Sequence, residues 1–103
     1  ATLETLEQKA NSLFEKIKDI CKCEIIKTQT LIGGGTTPNK KIPTFALSLE
    51  YKNLKANEIE KILRKNLIIS RIENDKVLLD FRTILEKDIA IIEEILKKEF
   101  KNV

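Results

Sequence analysis

Histidine, methionine and tryptophan are absent from these 103 residues, and the aromatic side chains amount to four Phe and one Tyr. Without histidine the commonest general base is missing, and so are imidazole-based metal sites. The two cysteines, Cys21 and Cys23, are too few to hold a metal alone, and no Ser or Cys has an adjacent base to activate it. The scarcity of aromatics argues against a module that stacks single-stranded bases. No apolar run approaches the ~20 residues of a membrane-spanning helix. Glycine occurs three times, at 33–35 only, and proline twice, at 38 and 43. Backbone punctuation is therefore concentrated in one segment. The lack of any methionine points to a piece of a longer protein.

What is present suits one folded domain with one core, residues 1–103: 42% apolar and 34% charged residues, with a net charge of +3. The charge is uneven. Residues 40–71 carry eight basic and three acidic side chains, whereas residues 72–103 carry six basic and eight acidic. A basic middle suits a polyanion, or is simply a lysine-rich solvated surface. Cys21 and Cys23, two apart on a strand, are poorly placed for a disulfide and read as reduced thiols of a cytoplasmic protein.

The stretch Ile68–Ile84 reads as two strands joined at Asn74-Asp75, residues that tolerate positive φ. A two-residue loop sets Ile72 opposite Val77, Ser70 opposite Leu79 and Ile68 opposite Phe81, making one apolar face. Glu73 then faces Lys76, and Arg71, Asp80 and Arg82 share the other face.

Around this hairpin the periodicities predict a helix from Thr2, as N-cap, to Ile20, and strands at Cys23–Ile32 and Thr44–Tyr51. In the second strand, Phe45, Leu47, Leu49 and Tyr51 point to the core and Thr44, Ala46, Ser48 and Glu50 to a more polar side. A short helix is expected from Asn57, capped by Glu60, to Asn66, and a last one over Glu86–Lys101 with Ile89, Ile92, Leu96 and Phe100 as its stripe. The order α-β-β-α-β-β-α implies an α+β two-layer sandwich: a four-stranded, largely antiparallel sheet with helices on one face.

Two groups of residues are candidates for binding. Gly33, Gly34, Gly35 and Thr36 lead into Pro38 and a strand rather than a helix, so they do not form a nucleotide-binding P-loop. They allow close backbone approach to an anion or a neighbouring subunit, or serve as a flexible connection. Arg71 and Arg82, near strand ends, suit a carboxylate or phosphate; alternatively, Asp80 pairs with one or both.

Three blocks then resemble a known family. Ile32-Gly33-Gly34-Gly35-Thr36-Thr37-Pro38 with Ile42-Pro43-Thr44 resembles the glycine loop of bacterial selenocysteine synthases, the L-seryl-tRNA(Sec) selenium transferases. Ser70 to Ile84 resembles their hairpin GRIEDDRLLLDLRTV, and Ile62-Leu63-Arg64 the end of the preceding helix. Ser70 replaces the family's usual glycine, and Thr36 and Thr44 replace serines. The resemblance implies the small C-terminal domain of a larger fold-type I pyridoxal-phosphate enzyme, packed on a large catalytic domain that carries the cofactor lysine. The whole enzyme would convert seryl-tRNA(Sec) to selenocysteinyl-tRNA(Sec) with selenophosphate, full-length copies assembling as a homo-oligomer in the cytoplasm, off the membrane. No lysine here matches the cofactor motif, so this chain alone should bind no pyridoxal phosphate and be inactive. Arg71 or Arg82 would then meet selenophosphate or the tRNA end. The readings left beside this one are an RNA-binding module using residues 40–71 and an oligomerisation domain.

Overall fold

The computed structural model describes residues 2–32 and 40–101. The glycine segment Gly33–Thr36 lies outside the described residues, and so do the expectations placed on it.

The element order is α1 (Leu3–Ile17), β1 (Lys22–Ile32), β2 (Lys40–Glu50), α2 (Ala56–Lys65), β3 (Arg71–Glu73), β4 (Lys76–Asp80) and α3 (Glu86–Lys101). The sheet order is β1-β2-β4-β3, every pair antiparallel. The chain leaves β2, crosses through α2 to the far edge as β3, and returns as β4 between them. This is the α+β fold the periodicities imply.

Local chemistry sets the boundaries. Thr2 caps α1, its Oγ1 accepting the Thr5 N–H at 3.1 Å. Leu6, Ala10, Leu13 and Ile17 form the buried stripe of that helix. It stops at Ile17, three residues before the sequence expectation, where the Ile20 N–H tightens onto the Ile17 carbonyl at 2.9 Å, an i→i−3 turn in place of the α-helical ladder. Helix α2 starts earlier than expected. Its N-cap is Lys55, and Glu58, not Glu60, accepts the cap N–H at 2.8 Å. The capping-box spacing from Asn57 therefore misled. Asn66 ends the helix as expected. Helix α3 has the expected bounds and buries Ile89, Ile92, Leu96 and Phe100.

Asn74 (φ 53°) and Asp75 (φ 63°) are both left-handed, the geometry of a type I′ hairpin turn. Ile72 faces Val77 and Glu73 faces Lys76, as the loop length requires. The ladder is shorter than expected, since β3 covers only Arg71–Glu73. Ser70–Leu79 and Ile68–Phe81 are not among its partners. Ile68 is buried all the same, but Ile72 is 43% exposed and does not continue the apolar face.

One face of the sheet presents Leu47, Leu49, Val77, Leu79 and Phe81 to the buried stripes of all three helices. Each large side chain removed from water there contributes about 1.5–3 kcal/mol. Tyr51 closes the end of this core by stacking on Phe100, ring centroids 4.2 Å apart, and donating its hydroxyl to the Phe100 carbonyl. Lys9 of α1 reaches the carbonyls of Phe81 (2.8 Å) and Ile84 (3.0 Å), which ties the helix to the turn after β4.

The opposite face carries no helix, yet Thr44, Ala46, Ser48, Leu78 and Asp80 on it are buried. A simple core-in, polar-out alternation does not account for that.

Candidate functional site

The helix-free face closes around one carboxylate. Asp80 is the last residue of β4 and only 4% exposed. Its Oδ1 accepts the Thr44 hydroxyl at 2.7 Å and the Arg82 N–H at 2.9 Å. Its Oδ2 accepts Arg71 Nη1 at 2.5 Å and the Thr30 hydroxyl. Burial acts to raise the Asp80 pKa, but the bonds from Thr30, the Arg82 N–H, Arg71 and Thr44 outweigh it. The carboxyl is held below its ordinary value of 3.8.

Arg71 uses its whole fork locally. Nε donates to Glu73 at 2.5 Å, Nη1 to Asp80, and Nη2 to the backbone carbonyl of Gln29 at 3.0 Å. That last bond has a geometric consequence. Arg71 is on β3 and Gln29 on β1, the two edges of the sheet. In a flat sheet they would be three strand spacings apart, roughly 14 Å, beyond one arginine side chain. The long β1–β2 hairpin must therefore curl over β4 towards β3. That curl covers Ala46, Leu78 and Asp80 where no helix does.

Arg82 is placed differently from the alternation expected of it. The strand ends at Asp80 because its carboxylate takes the Arg82 N–H, an Asx turn, while its carbonyl takes the N–H groups of Thr83 (3.0 Å) and Ile84 (3.1 Å). Arg82 thus sits in a turn, where Nε (2.9 Å) and Nη2 (2.6 Å) both donate to the Pro43 carbonyl. The Phe81 N–H bonds to the Phe45 carbonyl. By alternation the Pro43 carbonyl points the same way, and β4 has already turned off there. The guanidinium replaces the missing strand, and proline forfeits no ladder bond at this position. Among the described residues Arg82 makes no ion pair.

The structure therefore joins Arg71 and Asp80, as their shared face predicts, and leaves Arg82 beside them in the turn. Sequence reasoning missed Thr30, Gln29 and Lys9. Thr30 and Gln29 become neighbours of the hairpin only through the sheet order and its curl, and neither is legible locally. Beyond this hub the basic middle is partly neutralised, Arg64 by Glu60 (3.4 Å) and Lys65 by Glu99 (3.8 Å). Both cysteines are free thiols. Burial, and secondarily Cys23, pushes the Cys21 thiol up to about 12, so it is no nucleophile at neutral pH. Lys9 is held by two carbonyls, and the other lysines with described side chains are exposed. The described residues thus offer pyridoxal phosphate no enclosed lysine and do not fit that cofactor.

Comparison with known proteins gives one consistent answer. The family model described as L-seryl-tRNA selenium transferase matches residues 1–85. A protein of Aliarcobacter butzleri named L-seryl-tRNA(Sec) selenium transferase is 70% identical over 100 residues, covering 97% of this chain and 22% of that protein. Proteins of the same name from Sulfurimonas denitrificans (52% over 101 residues) and Campylobacter lari (42% over 98 residues) match 96% and 95% of the chain. The chain spans about a fifth of the length of these relatives, 22%, 22% and 21% in turn. The hairpin with its Asp80 hub lies inside the matched region, and the chain belongs to the L-seryl-tRNA selenium transferase family.

Proposed function

We propose that this chain is the small C-terminal domain of an enzyme that converts seryl-tRNA(Sec) to selenocysteinyl-tRNA(Sec) with selenophosphate. The observation that carries this reading is the 70% identity to a selenium transferase over nearly the whole chain. Pyridoxal phosphate would be held elsewhere in the enzyme, where it supplies an electron sink for elimination at the seryl group.

The contribution of this chain is a stiff body and a positioned cation. Arg71, with every arm of its fork engaged, positions: it holds β1, β3 and β4 in one curl. Arg82 is the arginine we assign to an anion, selenophosphate or the tRNA end. Its guanidinium is held at the Pro43 carbonyl of β2, where its fork suits a phosphate or carboxylate. The large domain of the same polypeptide and further copies of it are the partners, in the cytoplasm.

The test is direct. The full-length protein carrying this chain, given seryl-tRNA(Sec) and selenophosphate, should form selenocysteinyl-tRNA(Sec), and the same protein truncated before Leu3 should not. Absence of product from the folded full-length protein would sink the reading.

A further inference from the structure

Away from the Asp80 hub, large apolar side chains stand open around one groove. Leu67 is 92% exposed, Ile69 80% and Ile91 53%. The groove holds about 350 Å³ and runs between the α2–β3 connection and the first turns of α3. Ile68, Ile84 and Ile92 form its floor, and Asp88 is its one charged lining residue.

The backbone gives a second, independent observation. Leu67, the residue directly after the C-cap Asn66 of α2, has φ 64°. Its N–H bonds to the Arg64 carbonyl, and the Ile68 N–H reaches back to that of Leu63, a helix stop in which glycine normally takes the left-handed place. Here a leucine occupies it, against its backbone preference, and its side chain touches almost nothing in this domain. A side chain kept at such a position, beside an equally open isoleucine, serves something outside the domain.

We infer that the Leu67–Ile69 strap with Ile91 is the surface on which the remainder of the same polypeptide docks. This rests on the reading of the chain as one part of a longer transferase. The segment shared with this chain is 22% of each of the first two relatives, so most of their length is available as occupant. Domain interfaces within one chain bury on the order of 600–1,500 Å² and need an apolar centre with a polar rim. Asn66, Thr83 and Asp88 provide that rim. An RNA strand is a poor occupant, because the lining has no cation and its only charge is negative.

The experiment uses the full-length protein with a benzophenone amino acid in place of Ile69, mixed as ¹⁴N- and ¹⁵N-labelled polypeptides before irradiation. The expected adduct joins residue 69 to a peptide outside these 103 residues, within one isotopic label. An adduct of mixed label, to a second copy, overturns the proposal, as does the absence of any adduct. Leu67→Gly with Ile69→Ser is the companion variant. Glycine relaxes the backbone at 67, so a melting temperature at least 5 °C lower in the full-length protein reports lost docking rather than misfolding, and an unchanged one counts against the surface. Docking is read without tRNA or selenophosphate. A wild-type protein that cross-links as expected but forms no selenocysteinyl-tRNA refutes the function while leaving the surface intact.

Discussion

The two faces of the sheet are closed by different means. Under the helices, Leu47, Leu49, Val77, Leu79 and Phe81 meet stripes from α1, α2 and α3, and dozens of weak contacts share the load. On the bare face, closure runs through one carboxylate that gathers Thr30, Thr44, Arg71 and the Arg82 N–H. The first arrangement is redundant and indifferent to pH. The second is specific and depends on a single ionised group, which also holds the two edges of the sheet near each other. In such a domain the position of Arg82 is set by the polar face, while global stability comes mainly from the apolar one.

The largest effect on stability should come from the apolar face. Leu79 is fully buried in the central strand β4. Leu79→Ala should destabilise by about 3–4 kcal/mol through lost transfer energy and the cavity left behind. Urea unfolding should show the loss to be the same at pH 7 and pH 4.5. A loss that changes with pH would show that the two faces are not separable.

The polar face should break with a smaller loss and a pH signature. Asp80→Asn keeps the shape but removes the charge opposite Arg71 and weakens four hydrogen bonds, a loss of about 2–3 kcal/mol. Because the folded carboxyl ionises below its ordinary value, its contribution is complete above the unfolded pKa of about 3.9 and fades as pH falls through it towards the lower folded value. Wild type should therefore lose stability below about pH 4 more steeply than the Asp80→Asn variant. Parallel curves for the two proteins would remove Asp80 as the closure of that face.

The same division explains what could be read from the sequence. Helix α3, the stripe of α1 and the Asn74-Asp75 turn follow from local rules, namely period, capping and tolerance of positive φ, and they appear where those rules put them. The pairing of Arg71 with Asp80 follows from strand alternation. What was not legible depends on tertiary curl. Thr30 and Gln29 lie about fifty and forty residues from their partners and meet them only when β1 bends over the sheet. Asp80 itself stops β4 by an Asx turn, which strict alternation ignores, so Arg82 leaves the face assigned to it. The exposure of Ile72 has a similar origin, since β3 is only a three-residue edge strand.

The smallest stability effect belongs to Arg82, and it makes the sharpest use of the contrast. Its guanidinium makes two bonds to one carbonyl, Pro43, at an exposed position, and among the described residues it has no ion pair. The contribution of Arg71 and Asp80 to closure does not pass through that side chain, because Asp80 is held by the Arg82 backbone N–H, which alanine retains. Arg82→Ala should therefore destabilise by no more than about 1 kcal/mol, a shift of roughly 4–8 °C at most for a domain of this size. If the guanidinium also meets an anion in the assembled enzyme, turnover of the full-length protein should fall by about tenfold, equivalent to about 1.4 kcal/mol. The decisive comparison is with Asp80→Asn, which loses more stability but keeps the Arg82 side chain. Function at Arg82 predicts that the less stable variant is the more active one per folded molecule. Equal activity per folded molecule in Arg82→Ala and wild type would make Arg82 a strut for the Pro43 carbonyl and nothing more.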